Sequence, residues 1–359
     1  MVTVSVLGVG KMKTFLKSVY KSVFFRRFLR SLLSLLGLSL LIFVLARVLP
    51  GDPIKAALGP DVPEEAAQRY REMLNLDKPL YLQYFYWLRD VFQFKLGKSL
   101  VTMRDVSADI ADFFPATLEL LLASTIFRII VAFPLGVLSG KKPGSAMDNA
   151  MRVLAYIGIC IPTFGWAIIL QLIFAYWLNW LPATGRISEE FMSIHRVTGL
   201  MTIDTLIGGN LPAFIDALKH LLIPAVALSI GGAVQEARIL RAGMIENIGR
   251  DYVLNMRSHG IPERIIYFKY VFKPSIIAVV PTMGLDIASS VGNAFLVETI
   301  CNWPGMSRYG MIAMLRKDLN AIVGVVLVIG LVYIVINTIT DVILYAIDPR
   351  LRFKEREES

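Results

Sequence analysis

Six apolar runs, at 31–46, 115–139, 153–178, 217–235, 275–297 and 321–347, constrain this chain more than anything else in it. Most are long enough to cross the hydrocarbon of a bilayer as helices. In lipid the backbone has no water to bond, so a crossing segment must satisfy its own N–H and C=O groups, and a helix does so. The expected fold is an all-α membrane protein with six transmembrane helices. Composition agrees: 55% of the 359 residues are hydrophobic, only 18% are charged, and the mean hydropathy is +0.60. An ordinary soluble domain is far less apolar.

The formal net charge of +9 raises the question of nucleic acid. The basic residues sit beside apolar runs, where they orient a membrane chain, and no aqueous basic stripe with interleaved aromatics occurs. Residues 1–30 hold Lys11, Lys13, Lys17, Lys21, Arg26, Arg27 and Arg30 and no acid. This end is therefore expected in the cytoplasm, as is the connection carrying Lys141, Lys142 and Arg152. Six crossings then place both termini inside. A basic leader before an apolar run also describes a signal peptide, but no small-x-small cleavage site follows, so an uncleaved first span is expected. The resulting division is a cytoplasmic basic N-terminus (1–30), a first transmembrane helix (31–49), an extracytoplasmic segment (50–114), a core with five transmembrane helices (115–352) and a cytoplasmic tail (353–359). In the extracytoplasmic segment, Asp61, Pro63 and Glu64 predict a capped helix start. The aromatics of 74–100 suit either a headgroup-level surface or the core of an outer subdomain.

The longest polar interruption in the apolar second half is 243–274. Ile245, Ile248, Tyr252 and Met256 recur at steps of three and four, which predicts one apolar stripe on a helix. Gly260 ends that helix and Pro262 opens the next. Two short helices should meet at a glycine corner presented to water between two spans. An amphipathic loop lying on the lipid surface is the plainer reading of the same residues.

Several chemistries are missing. Gly97-Lys98-Ser99 lacks the glycine that a phosphate loop needs five residues earlier, and no Walker A sequence occurs elsewhere. His195, His220 and His259 form no zinc motif, and Cys160 and Cys301 suggest neither a metal site nor a disulfide framework. The run 228–232 is apolar and small, suited to close helix packing. Ionisable residues within the spans are candidates for a functional path. Glu119 and Arg128 lie nine apart and so on opposite helix faces. Arg128 and Asp286 are candidates for a pair across helices, either as a structural ion pair or in contact with substrate. The span at 275–297 is rich in small residues and carries Asp286 and Asn293, so it should face protein or a watery path. Asn337, Asp341, Tyr345 and Asp348 share one helical face near the end of the chain.

At Asp251-Tyr252-Val253, Arg257, Gly260, Glu263-Arg264 and 268–274 the sequence resembles the inner-membrane permeases of binding-protein-dependent ATP-driven importers, in the dipeptide, oligopeptide and nickel branch. The LPGDP sequence at 49–53, Glu298, Trp303-Pro304-Gly305-Met306 and the NxxxDxxxY ending followed by DPR extend the resemblance from Arg30 to Arg352. Met256, Ser258 and His259 stand where that family usually has small residues and a lysine. The resemblance implies a type I ABC importer permease architecture with a cytoplasmic coupling helix, multi-pass in the plasma (inner) membrane. It makes Asp251, Tyr252, Arg257, Ser258, His259, Gly260, Glu263 and Arg264 ATPase-coupling residues. Glu298, Trp303 and Gly305 become outer-gate candidates beside the pathway candidates Arg128, Asp286 and Asn293. The implied partners are a second permease subunit, two ABC ATPase subunits and an extracytoplasmic substrate-binding protein. ATP and Mg would be bound by the ATPases, and no cofactor or catalytic residue is expected here. Peptides are the default substrate of the resemblance, with oligosaccharide or nickel uptake as alternatives. From a different class, a self-sufficient secondary transporter would need a coupling-ion site and often internal repeats, and no obvious repeat is found.

Overall fold

The computed structural model describes residues 32–44, 62–73, 77–93 and 95–348. The LPGDP sequence, Asp61, the basic N-terminus, Pro349 and Arg350 of the DPR ending and the acidic tail lie outside them. The described residues are helical, with one isolated bridge between Lys98 and Asp105 and no named strand. In chain order the helices are α1 (Leu32–Val44), α2 (Glu64–Met73), α3 (Leu80–Phe92), α4 (Val106–Lys141), α5 (Ala146–Cys160), α6 (Thr163–Trp177), α7 (Met201–Ile207) and α8 (Leu211–Ile248). They continue as α9 (Asp251–Ser258), α10 (Glu263–Ile276), α11 (Val279–Ile300), α12 (Met306–Leu315) and α13 (Leu319–Ile347).

Three of these, α4, α8 and α13, are single helices long and apolar enough to cross a membrane. Two expected spans differ from simple rods. The third breaks at Ile161-Pro162, where α5 and α6 meet at 105°. The residue before a proline is pushed out of the helical region, and Ile161 is extended at φ −91°, ψ 123°. The fifth is α11, which meets α10 at 56°. The second starts earlier than the apolar run suggested, at Val106, and the fourth runs on to Ile248 through Pro224.

The long pair α4 and α8 forms the spine. Gly136 and Gly140, one helical turn apart, lie against Leu240 and Met244, where a Cβ would stand 2.8 and 2.6 Å from those side chains. Small residues let the backbones approach, as membrane helices require when no hydrophobic effect drives them together. Around the half of the spine away from Lys141 and Ile248, α6, α11, α12 and α13 close one apolar cluster that includes Leu120, Leu228, Val297, Trp303 and Met306.

The aromatics of α3 divide between the two roles open from sequence. Tyr84 and Trp87 pack with Phe43 of α1 at ring distances of 5.3 to 5.9 Å, and the Ser39 and Tyr84 hydroxyls lie 2.9 Å apart. Tyr81, Phe85 and Phe92 face outward. Helical periodicity makes one stripe core and the other surface. Ser99, in the triplet without a phosphate loop, donates to Asp318 at 2.5 Å and so ties this outer segment to the start of α13, which Asp318 caps.

Candidate functional site

At the end of the spine where Lys141 and Ile248 lie, the polar interruption folds into an elbow. The predicted single stripe is split, because α8 ends at Ile248, Gly249 caps it, and α9 starts afresh at Asp251. Ile248 and Met256 still face inward, with Val253, Ile266, Tyr267 and Val271 packed against Val137, Leu240 and Met244. Gly260 turns the corner at φ +71°, a left-handed conformation that costs an L side chain about 1–2 kcal/mol. Arg257 spans the corner with a two-pronged ion pair to Glu263, at 2.7 and 3.3 Å. Tyr252 donates its hydroxyl to the carbonyl of Tyr270 at 3.2 Å, and burial pushes its phenol above the ordinary value. Asn247 bonds Ser275 at 3.2 Å where Gly243 brings α8 against α10.

This packing leaves one side of the elbow bare. Asp251, Tyr252, Arg257, Ser258, His259, Gly260, Glu263 and Arg264 are all exposed. The structure adds apolar members absent from the sequence expectation: Leu254, Ile265 and Phe268 are also exposed, Leu254 and Phe268 to about 60%. Their signal in the sequence was weak, since nothing distinguishes them from the inward-facing Val253 and Ile266 beside them.

At the opposite end of the bundle, Glu298, Trp303 and Gly305 come together as a buried knot. Glu298 accepts from Thr117 Oγ1 and from the Arg308 amide, each at 2.7 Å, and Thr117 Oγ1 accepts from the Met306 amide at 2.7 Å. Trp303 donates its ring N–H to the Ala116 carbonyl at 2.9 Å. A Cβ on Gly305 would sit 2.2 Å from the Glu298 carboxyl carbon, so the glycine is the space that the carboxylate occupies. Against this knot lies Arg186, stacked over the Trp303 ring at 5.6 Å and paired with Glu119 at 2.5 Å. Sequence reading missed Arg186 because the segment 179–210 has no helical or strand period. That segment is held by Asp204, which accepts from the hydroxyl and amide of Thr198 at 2.7 Å and the amide of Gly199 at 3.0 Å. Burial opposes ionisation of Asp204, yet these donors outweigh it and hold the carboxyl below its ordinary value.

The candidate Arg128–Asp286 pair does not form a direct ion pair. Arg128 faces Glu236 of α8 at 3.5 Å, donates to the Ser290 hydroxyl at 2.7 Å, and reaches the Leu228 carbonyl at 3.2 Å. Gly232 makes this possible, since a Cβ there would stand 2.3 Å from the guanidinium. The helix phase puts Ser290, not Asp286 one turn away, in reach. Glu236 was missed because its span seemed to end at Gln235. Asn293 lies exposed on α11 beside Gly292 and near Ser289, giving this helix a polar face that none of the described residues covers. Along α13, Asn337, Asp341 and Tyr345 share a helical face, and Asp348 falls just beyond the helix end.

A bent-helix bundle with small-residue packing, a bare inner elbow and a polar helix face defines a membrane transport component. The family comparison makes that specific: residues 132–353 match the model described as "Binding-protein-dependent transport system inner membrane component", and residues 21–121 match the N-terminal model of the same membrane components. The chain belongs to this family and is a multi-pass inner-membrane permease. It is similar to the di/tripeptide transport system permease protein DppB of Pseudomonas aeruginosa, 34% identical over 321 residues covering 88% of this chain and 94% of the relative. The probable D,D-dipeptide transport system permease protein DdpB of Escherichia coli is 31% identical, with 88% and 93% covered. The dipeptide transport system permease protein DppB of Alkalihalophilus pseudofirmus is 32% identical, with 91% and 98% covered.

Proposed function

We propose that this chain is one of two permease subunits that form the path of an ATP-driven importer for di- or oligopeptides. Both termini lie in the cytoplasm, and six crossings comprise α1 with its flanks, α4, the broken pair α5 and α6, α8, α10 with α11, and α13. Fuel is consumed by two ABC ATPase subunits, which bind ATP and Mg, while an extracytoplasmic binding protein delivers the cargo. The bare side of the elbow, where Leu254, Ile265 and Phe268 stand among Arg257, Glu263 and Arg264, carries the reading, because exposed apolar groups ringed by charge suit a protein partner. The buried side of the same elbow is packed on α4 and α8, so a push on α9 is passed to the spine as a body movement. The polar face of α11, with Ser289, Gly292 and Asn293, lines the path against the second permease, and the Glu298, Trp303 and Gly305 knot closes its outer end. Peptide cargo is supported by the names of the relatives.

The test is a reconstituted importer carrying Gly260→Val. A β-branched residue in the left-handed corner should leave ATP hydrolysis running while peptide uptake falls by an order of magnitude or more. Unchanged coupling, or ATP hydrolysis by the purified chain alone, would contradict the proposal. A crosslinker at Ser258 should capture the ATPase subunit.

A further inference from the structure

A second charged feature lies away from both ends of the transport path. Between α5 and α8 is a cavity of about 210 Å³ lined by Met151, Arg152, Ala155, Tyr156, Arg238 and Arg241. Three guanidiniums meet there and one carboxylate answers them. Asp148, fully buried, takes a fork from Arg241, with one contact at 2.8 Å, and also caps the start of α5 through the Gly144 amide at 2.8 Å. Arg238 bonds only the neutral Gln235 side chain, at 2.7 Å, and Arg152 has no hydrogen bond or ion pair among the described residues. Arg238 thus has no carboxylate partner, and Arg152 shares with Arg241 the charge of the one Asp148 carboxylate, so the cleft holds more positive charge than negative. The wall beside them is oily: Val153, Leu154 and Ile157 are each about half exposed, and Tyr156 is 65% exposed.

Depth supports one occupant. Arg152 stands six residues into α5 and Arg238 ten residues before the end of α8, so each is roughly 9 to 15 Å from its helix end at the elbow side. Long arginine stems reach from there to the lipid–water boundary, where a tyrosine also sits well. A soluble anion would have no use for the oily wall, whereas acyl chains would. We propose that this cleft binds the phosphate headgroup of an anionic phospholipid, with Arg152 and Arg238 on the phosphate and the acyl chains along Val153, Leu154 and Ile157. Arg241 is spent on Asp148 and serves as the fixed wall. A bound lipid would then brace α5 on α8, the helix that leads directly into the elbow.

The experiment is native mass spectrometry of the assembled transporter, extracted from bilayers of phosphatidylglycerol, phosphatidylcholine or their mixture. Phosphatidylglycerol should be retained in preference to phosphatidylcholine. Arg152→Gln with Arg238→Gln should weaken that retention about 30-fold, at the usual worth of two basic residues near an anionic surface. The equal charge loss Arg196→Gln with Lys219→Gln, on the outer side, should leave it unchanged. If the glutamine pair fails to assemble, Arg152→Lys with Arg238→Lys keeps the charge and should hold phosphatidylglycerol within a few-fold. Equal retention of the two lipids, or retention indifferent to the glutamine pair, overturns the proposal. So does displacement by inorganic phosphate, which would mark a soluble-anion site, or crosslinking of Arg152 to a partner chain instead of lipid.

Discussion

Replacing Gly305 by alanine tests the outer knot with a single methyl group. The backbone at Gly305 is extended, at φ −98° and ψ 164°, so alanine meets no conformational strain there. Space is the issue, because the new Cβ would fall 2.2 to 2.4 Å from the carboxyl atoms of Glu298. Either α12 shifts or the carboxylate leaves. Shifting a packed element costs about 1–3 kcal/mol. Expelling the carboxylate forfeits two hydrogen bonds to a charged acceptor, from Thr117 and the Arg308 amide, at roughly 1.5–3 kcal/mol each. The cheaper route sets the outcome, so a loss of about 2 kcal/mol is expected, or roughly 4 °C in the melting temperature of the purified complex. Shortening the acid in the same chain, Glu298→Asp, should return part of that loss, whereas Glu298→Gln, which keeps the length, should return none. Thermal unfolding of the wild type and these three variants in one detergent reads the comparison. Wild-type stability and transport for Gly305→Ala would refute the steric argument, and equal rescue by aspartate and glutamine would refute the role of length.

Three further outcomes follow from the other buried groups. Arg128→Gln strands Glu236 between helices and should cost about 3–5 kcal/mol, with Arg128→Met/Glu236→Met less damaging than the single change; equal losses by denaturation would remove the pair. Asp204 has a depressed folded-state pKa, so its contribution is present above the ordinary carboxylate value of about 4 and fades as pH falls through the folded value. Hydrogen exchange at Thr198 and Gly199 should therefore accelerate in acid, and Asp204→Asn should make it fast at every pH; exchange that stays slow in the variant would count against the loop clasp. Burial raises the Cys301 thiol to about 12, so at neutral pH a maleimide should spare Cys301 in the folded protein and label it once the protein is denatured. Rapid labelling of Cys301 would show that the α11–α12 connection opens.

Much of the site was readable in the chain because its signals are local. Gly260 followed by Pro262 marks a corner in any setting, and the corner lies where they stand. The joint of α8 and α9 was less legible. An apolar step of three or four continues unchanged across a two-residue break, so Ile248 and Tyr252 read as one stripe although Gly249 and Arg250 divide them. Trp303 and Gly305 were found through their neighbours in sequence, yet their reason for being together is Glu298 folded back across the turn at Asn302.

Hydropathy and basic flanks determined that the chain is helical and belongs in lipid, since a backbone without water has few ways to satisfy itself. Motif spacing determined the elbow. Which charges meet was decided only in three dimensions: Arg128 and Glu236 are 108 positions apart, and Glu119 and Arg186 are 67. Pairing across helices depends on rotational phase and on where a glycine opens a gap, as Gly232 does for Arg128, and neither quantity is carried by any one segment.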